Sequence, residues 1–440
     1  MTSPTQPSPP ARRELFAWMM YDFANSGYTT VVLTAIFNVY FVNIIAGGAD
    51  KSLQAEATLL WTVAIAIANG LVLLSAPVLG AIADHLAAKK RLLLASSLGC
   101  VIATALLSLA GAGDVALAMA LLIIATVMFA TGENLIAAFL PELTTQENMG
   151  RLSAWGWTVG YLGGLLVLGL CLAIIMGGEA RGYSAQHTVP LTLLTVAIIF
   201  ALAATPTFLW LRERAVPLPK SPGQTHNYLG IGFQRLRHTL IHARHYTDLF
   251  RFLLALTVYT CGINTVIVLA AIYAQQVMGF NTQDTILLIL VVNITAAVGA
   301  FVFGHVQDRI GSVPTLAITL LVWIGATALA YFTTSRAEFW VVANLVGLAM
   351  GASQSAGRAL IGQFSPPVRT AEFFGLWGLA VKLSAIIGPL SYGLITYLTD
   401  GDHRLAILST VFFFIAGLVL LTGINEQRGR NAALTDNTCA

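Results

Sequence analysis

The sequence predicts an all-α integral membrane protein with twelve transmembrane helices in two parallel six-helix halves. Of its 440 residues, 57% are hydrophobic and only 10% are charged. Soluble domains carry roughly 25% charged residues, so this chain cannot build an ordinary water-facing surface. Its apolar runs are about 20 residues long, which is the length that crosses a bilayer core as a helix. Short motifs of the first half of the chain recur in the second half, which predicts two parallel halves.

Twelve apolar runs are separated by polar residues or by Gly and Pro. Their centres fall near Thr30, Ala68, Ala103, Ile124, Gly164, Ile199, Val266, Val291, Thr319, Leu345, Leu383 and Phe414. The longest polar interruption is basic and lies halfway along the chain. The predicted parts are an N-terminal tail at 1–15, a first half at 16–211, a central loop at 212–247, a second half at 248–424 and a C-terminal tail at 425–440.

Short motifs recur at a nearly constant offset. They are Gly80-x-x-x-Asp84 with Gly304-x-x-x-Asp308, 224 residues apart, and Phe139-x-Pro141 with Phe364-x-Pro366, 225 residues apart. Because the offset holds across two loops, the halves are parallel repeats. This is the arrangement of the major facilitator superfamily, whose substrate site lies between the halves near the middle of the membrane.

Charge distribution predicts the orientation and excludes several classes of protein. With both termini cytoplasmic, Lys and Arg are about fourfold more frequent in the inside loops than in the outside loops, as the positive-inside rule requires. The net charge of +3 is small and spread over short loops, so no nucleic-acid surface is expected. The four cysteines suggest neither disulfides nor a metal site. We expect a monomer without cofactor in a bacterial inner membrane.

The two glycine–aspartate loops predict a cytoplasmic gate. Glycine permits close helix approach, and a carboxylate one turn later can meet a helix N-terminus or a basic residue within the same half. The predicted gate residues are Gly80, Asp84 and Arg91 in the first copy and Gly304, Asp308 and Arg309 in the second. Two copies at matching positions favour this hypothesis over a merely solvated loop.

Polar residues inside the apolar spans are candidates for the transport site, because an acid within the membrane is expensive and usually serves a partner or a pathway. Asp22 and Asn25 lie on one face of the first span. Counted from a start near Phe16, Asp22 would lie roughly 9 Å inside, so it could equally hydrate or cap the helix end. Both interpretations stay open.

Glu133 and Arg358 occupy equivalent positions in the repeat, each eight residues before a helix-ending proline. Both lie roughly 12 Å from the cytoplasmic helix ends. One hypothesis is that they pair when the inside is closed and that substrate or proton competes for the acid when it opens. The alternative is a permanent structural ion pair. Gln354 precedes Arg358 by one turn and could face the same cavity.

Lys382 lies deeper, roughly 16 Å from its helix start and close to the mid-plane. Small residues on the same face bring helices close around it. It could hold a substrate carboxylate, or it could be a fixed counter-ion to Asp22 or Glu133.

Three stretches resemble the autophagy-related vacuolar effluxers and their bacterial relatives, a branch of the major facilitator superfamily. They are Trp18-Met-Met-Tyr21-Asp22-Phe23-Ala24-Asn25-Ser26; Phe139-Leu-Pro141-Glu142-Leu143 with Leu152-Ser153-Ala-Trp-Gly156-Trp157; and Gln354-x-x-x-Arg358-Ala359 through Glu372-Phe373-Phe374-Gly375-Leu376 to Lys382. The resemblance implies a twelve-helix transporter and, for the eukaryotic members, amino-acid export from a vacuole.

We therefore expect a secondary transporter for an amino acid or similar zwitterion that works by proton-coupled alternating access. Asp22 or Glu133 would be the coupling acid, Lys382 and Arg358 the cations that face the substrate carboxylate, and Asn25 and Gln354 hydrogen-bonding groups. The main alternative is export of an organic anion or drug-like compound. A membrane-embedded enzyme and a non-transporting receptor are further alternatives. The histidines of the central loop lack the carboxylate cluster that an enzyme would need.

Overall fold

The computed structural model describes residues 10–46, 51–215, 230, 246–280, 282–399 and 402–435. Twelve helices in these ranges are long and apolar enough to cross a membrane. They are α1 (Arg12–Ala46), α2 (Lys51–Leu86), α3 (Lys89–Leu107), α4 (Val115–Ala137), α5 (Met149–Glu179), α6 (Ala185–Trp210), α7 (Thr247–Gln276), α8 (Thr282–Ile310), α9 (Ser312–Phe332), α10 (Arg336–Phe364), α11 (Thr370–Leu398) and α12 (His403–Thr422). The predicted fold class is confirmed.

The first helix is the least regular of the twelve. It begins at Arg12, earlier than predicted, and π-helical turns occupy Thr29–Ala35 and Phe41–Ala46. The helix breaks at Ile36, directly after the first π turn, where φ is −118°. π turns widen a helix locally and are frequent at functional sites. In this helix both π turns come after Asn25 in the chain.

Glycines on α5 set how closely that helix approaches α1. A side chain at Gly163 would collide with the backbone of Phe23, and one at Gly160 would crowd the Ser26 hydroxyl. The two helices pack along this ridge because small residues let backbones come together in a membrane. The ridge fixes the direction in which the polar face of α1 points.

Two glutamates cap helices within the halves at one end of the bundle. Glu213 accepts hydrogen bonds from the first two backbone N–H groups of α3, and Glu426 accepts from the first two of α9, at 2.7–3.1 Å. A carboxylate is stabilised at a helix N-terminus by the unpaired N–H groups and by the helix dipole. The pseudo-repeat therefore extends beyond the membrane helices.

The C-terminal tail is more ordered than the prediction of a simple tail implied. Glu426–Thr435 forms a further helix, α13, whose Arg428 pairs with Asp248 at the start of α7, at 2.5 Å. Of the central loop, only residues 212–215, 230 and 246–247 are described, and its histidines His238, His242 and His245 lie outside the described residues.

The halves meet at one end of the bundle, which we call the basic face. It carries the helix ends at 86–89, 143–149, 310–312 and 364–370 and the starts of α1 and α7. The hydrogen bonds that join described residues of the two halves all lie at this face or near mid-span, and none lies towards the opposite end. The protein is therefore closed at the basic face, the face that the sequence predicts to be cytoplasmic.

Replacing Gly163 by Ala should destabilise the protein, because the added methyl group would force α5 away from α1. The expected cost is about 1–3 kcal/mol, the usual range for overpacking. Gly169 is the matched control on the same helix, since no atom would contact a side chain there. Thermal unfolding of the purified protein in detergent should show a lowered midpoint for Gly163→Ala only. Equal midpoints for the two variants would contradict the close α1–α5 packing.

Candidate functional site

A buried ion pair joins the two halves within the membrane spans. Nη1 of Arg358 on α10 lies 2.7 Å from Oδ2 of Asp22 on α1. Asp22 is 9% exposed and Arg358 is 4% exposed. The pair connects a helix of the first half to a helix of the second, so it can exist only while these helices are close together.

Arg358 makes further contacts with the first half. Its Nε donates to the Ser153 hydroxyl at 3.1 Å, and Nη2 donates to the Ser153 carbonyl at 2.8 Å. The guanidinium also lies over the rings of Trp18 and Trp157, with centroids 4.8 and 5.3 Å away. Gly156 leaves room for this arrangement, because a side chain there would collide with Asp22 and Arg358.

These contacts correct the predicted pairing of Arg358 with Glu133. Equal depth in the membrane did not determine which side chains face each other, since packing of α5 on α1 turns Asp22 towards α10. Asp22 also lies deeper than predicted, ten residues or roughly 15 Å from the start of α1 at Arg12. It is an interior charge and does not cap the helix end.

Glu133 and Lys382 are the interior charges without a direct partner. Among the described residues, neither takes part in an ion pair or a side-chain hydrogen bond. Lys382 is nevertheless the charge that acts most strongly on Glu133, followed by Asp22 and Arg358. Both side chains are half-buried although both lie within membrane spans. A gap wide enough for water therefore reaches part of each side chain.

Several buried polar atoms of the first half lack a hydrogen-bond partner among the described residues. They include Oδ1 of Asn25, Nδ2 of Asn134 and Nε1 of Trp157. Asn134 lies directly against Gly378, one turn before Lys382. An unmade hydrogen bond in a buried place costs about 1–3 kcal/mol, so such atoms mark a place where a ligand or water binds.

Gln354 on α10 is held by a residue of the other half. The Tyr161 hydroxyl on α5 donates to its Oε1 at 2.5 Å. Both side chains are half-buried. Thus Asp22, Arg358 and Gln354 form hydrogen bonds between the halves. Asn25, Glu133 and Lys382 stay predicted site residues.

The first glycine–aspartate motif closes the basic face between α2 and α11. Oδ2 of Asp84 accepts a hydrogen bond from the backbone N–H of Glu372, in the first turn of α11, at 2.8 Å. Gly80 allows this contact because a side chain there would collide with the backbone of Ala371. The predicted carboxylate-to-helix contact is present, but it reaches the other half and does not stay within its own.

The second motif makes the corresponding contact in the opposite direction, from α8 to α5. Oδ1 of Asp308 accepts from the backbone N–H of Arg151, in the first turn of α5, at 3.1 Å. A side chain at Gly304 would collide with Ala154. Each half thus caps a helix of the other.

The basic partners of the gate differ from the predicted ones. Arg91 and Arg309 are exposed and make no ion pair among the described residues. Lys89 is fully buried instead: it pairs with Glu142, lies 3.9 Å from Asp84 and donates to the Thr370 hydroxyl at 2.9 Å. Lys89 and Arg91 are about 200° apart around α3, so only one of them can face the interface.

Sequence reasoning did not assign roles to the site residues Asn134, Ser153 and Trp157. Asn134 could have been noticed as a polar neighbour of Glu133 within an apolar span. Ser153 and Trp157 stand in the family-like stretch around Gly156. That stretch predicted close helix packing but did not indicate that Arg358 contacts it.

Comparison with known proteins now decides the family. The profile of the vacuole effluxer Atg22-like family matches residues 10–434. The chain belongs to this family. It is 27% identical to the MFS-type transporter YxiO of Bacillus subtilis over 423 residues, which cover 96% of this chain and 97% of YxiO. It is 26% identical to autophagy-related protein 22-1 of Aspergillus niger over 303 residues, which cover 65% of this chain and 48% of the fungal protein.

Solved structures show the same fold. The human organic anion transporter MFSD10 matches with a TM-score of 0.72 at 15% identity, covering 94% of this chain and 100% of MFSD10. The proton:xylose symporter XylE matches with a TM-score of 0.71 at 14% identity, covering 97% of this chain and 98% of XylE. This Atg22-like protein is therefore a multi-pass membrane transporter of the major facilitator superfamily.

Lys89→Met should destabilise this Atg22-like transporter, because it leaves Asp84 and Glu142 buried near one another without their cation. Removing one partner of a buried ion pair costs about 3–5 kcal/mol. Arg91→Met, two residues away and exposed, should change stability by less than about 0.5 kcal/mol. Thermal unfolding in detergent measures both. If Lys89→Met were as stable as Arg91→Met, the contacts of Lys89 with Glu142, Asp84 and Thr370 would not stabilise the closed basic face.

Proposed function

We propose that the protein transports a small zwitterion, an amino acid or a close analogue, by alternating access between its two halves. One observation carries the proposal: Glu133 and Lys382 have opposite charges, lie within the membrane on opposite halves, and have no ion-pair or hydrogen-bond partner among the residues that the structure describes. Unpaired charges in a membrane interior are costly and are kept where a substrate or ion pathway uses them. A ligand that carries both charges satisfies both residues at once.

Polar atoms of the first half that have no partner among the described residues suit the two ends of such a ligand. Lys382 is the cation for a carboxylate, and the free N–H groups of Asn134 and Trp157 are donors of the kind that a carboxylate accepts. Glu133 is the anion for an ammonium group, and Oδ1 of Asn25 is a neutral acceptor for it. Arg358 is already held by Asp22 and Ser153, so Lys382 is the better candidate for the carboxylate contact.

The same arrangement supports proton coupling through Glu133. A carboxylate can hold either a proton or an ammonium group, and the two compete for it. A carrier whose acid must hold one or the other as it changes conformation exchanges substrate for protons. Asp22 is the less suitable coupling acid in this conformation, because its carboxylate is bound to Arg358.

Exchange assays in proteoliposomes test the substrate class. A labelled amino-acid mixture should enter in exchange for unlabelled amino acids, and Lys382→Met should raise the half-saturating concentration about 10- to 100-fold through loss of a charged hydrogen bond. Arg91→Met is the control and should behave as wild type. Analogues without the amine or without the carboxylate should compete poorly. Absence of amino-acid exchange by folded protein, with competition by organic anions only, would favour the organic-anion alternative.

An imposed pH gradient tests the coupling. Wild-type protein should accumulate substrate along the gradient, whereas Glu133→Gln should exchange substrate at higher concentrations without responding to the gradient. The comparison variant is Asp22→Asn, which removes the other acid of the site. A gradient response lost in Asp22→Asn but kept in Glu133→Gln would assign coupling to Asp22.

A further inference from the structure

A cavity at the basic face is enclosed by the start of α7, the end of α10 and the C-terminal helix α13. We call it the basic-face cavity; its walls include Asp248 and Arg251 on α7, Phe364 on α10, and Arg428 and Ala432 on α13. Its volume is about 260 Å³. Pockets that enclose a whole drug-sized ligand measure about 300–1,000 Å³. This cavity therefore suits a small group that belongs to a larger molecule.

The basic-face cavity has a net positive charge. Asp248 is the carboxylate among its described lining residues, and both oxygens of Asp248 accept hydrogen bonds from Arg428, at 2.5 and 2.7 Å. Oδ1 of Asp248 also accepts from the backbone N–H of Asn425 at 2.9 Å. Because Arg428 balances the charge of Asp248, the charge of Arg251 is left over.

Arg251 has hydrogen-bonding capacity for a ligand. Its Nη1 donates to the carbonyl of Gly423, at the end of α12, at 2.8 Å. The guanidinium carries further N–H donors, and within the described part of the chain these have no acceptor and Arg251 has no ion pair. The side chain is exposed although Arg251 lies within a membrane span. A charge in that position requires an anionic partner or a path to the membrane surface.

The surroundings of Arg251 match the boundary between lipid head groups and lipid chains. Arg251 is four residues, or roughly 6 Å, from the start of α7 at Thr247. The head-group layer of a bilayer is roughly 5–8 Å thick on each side. Leu254, three residues further and therefore a neighbour on the helix surface, is 55% exposed. The same surface of α7 thus offers a cation to the head groups and an apolar side chain to the hydrocarbon.

We propose that Arg251 and the basic-face cavity bind an anionic phospholipid from the leaflet at the basic face. The lipid phosphate accepts hydrogen bonds from Arg251, whose planar guanidinium matches phosphate oxygens in pairs. The rest of the head group enters the cavity, and an acyl chain lies against Leu254. Basic pockets between membrane helices bind anionic head groups in this way. A lipid fits better than a free phosphate ion because the cation adjoins an exposed apolar surface. The site requires neither amino-acid transport nor proton coupling.

Native mass spectrometry of the full-length protein in detergent tests the site, with phosphatidylglycerol as the probe. Wild-type protein should bind it more tightly than phosphatidylcholine, which has no net charge. Arg251→Gln should weaken binding of the first phosphatidylglycerol about 10- to 100-fold, because a charged hydrogen bond is lost. Arg309→Gln is the matched control, since Arg309 is exposed at the same face but does not line the cavity. It should weaken binding about fivefold at most, the effect of one surface charge.

Two further variants separate lipid binding from folding, which thermal unfolding without added lipid monitors. Arg251→Lys keeps the charge and should lose less affinity than Arg251→Gln. Ala432→Leu fills the cavity but leaves its charges in place, and it should also weaken phosphatidylglycerol binding. Wild-type affinity in both Arg251→Gln and Ala432→Leu would overturn the site. Equal affinity of wild type for phosphatidylcholine would overturn it too, and displacement of the lipid by inorganic phosphate would assign the cavity to a free anion instead.

Discussion

A charge inside a membrane has no water to solvate it, and this constraint orders the whole interface between the halves. Arg358 is surrounded by a carboxylate, a hydroxyl, a carbonyl and two indole faces. Lys89 is enclosed by acids at the basic face. The acids around Lys89 belong to its own half, whereas Arg358 finds its partners only on the other half. For Arg358, satisfying the charge therefore requires the halves to be in contact. Glu133 and Lys382 depart from this pattern, and this departure is the reason for proposing them as the centre of the transport site.

Carboxylates at helix N-termini serve two purposes in the same molecule. Glu213 and Glu426 cap helices of their own half, and these contacts can persist while the halves move. Asp84 and Asp308 cap helices of the opposite half, so their contacts must break when the basic face opens. The chemistry is identical in both cases, a carboxylate on unpaired N–H groups. The half to which the capped helix belongs determines the effect of the contact. A cap on a helix of the same half stabilises that half, whereas a cap on a helix of the other half holds the basic face closed.

Glycines determine which polar groups can meet. Gly156 makes space for the ion pair of Asp22 and Arg358, and Gly378 makes space for Asn134. At both positions a methyl group would occupy the place of a polar atom. The small residues of this family-like sequence therefore do more than bring helices together, since they position the functional groups at the contacts between them.

The sequence by itself determined the twelve helices and the parallel halves, because these follow from hydrophobic length and repeat offset. It also selected Asp22, Arg358 and Gln354, which form hydrogen bonds between the halves. Which of them pair was decided only by tertiary structure. Arg358 meets Asp22 and not Glu133, and Lys89 rather than Arg91 enters the gate, because the direction in which a side chain points depends on how each helix is rotated against its neighbours. That rotation is set by contacts such as Gly163 on Phe23, between residues far apart in the chain.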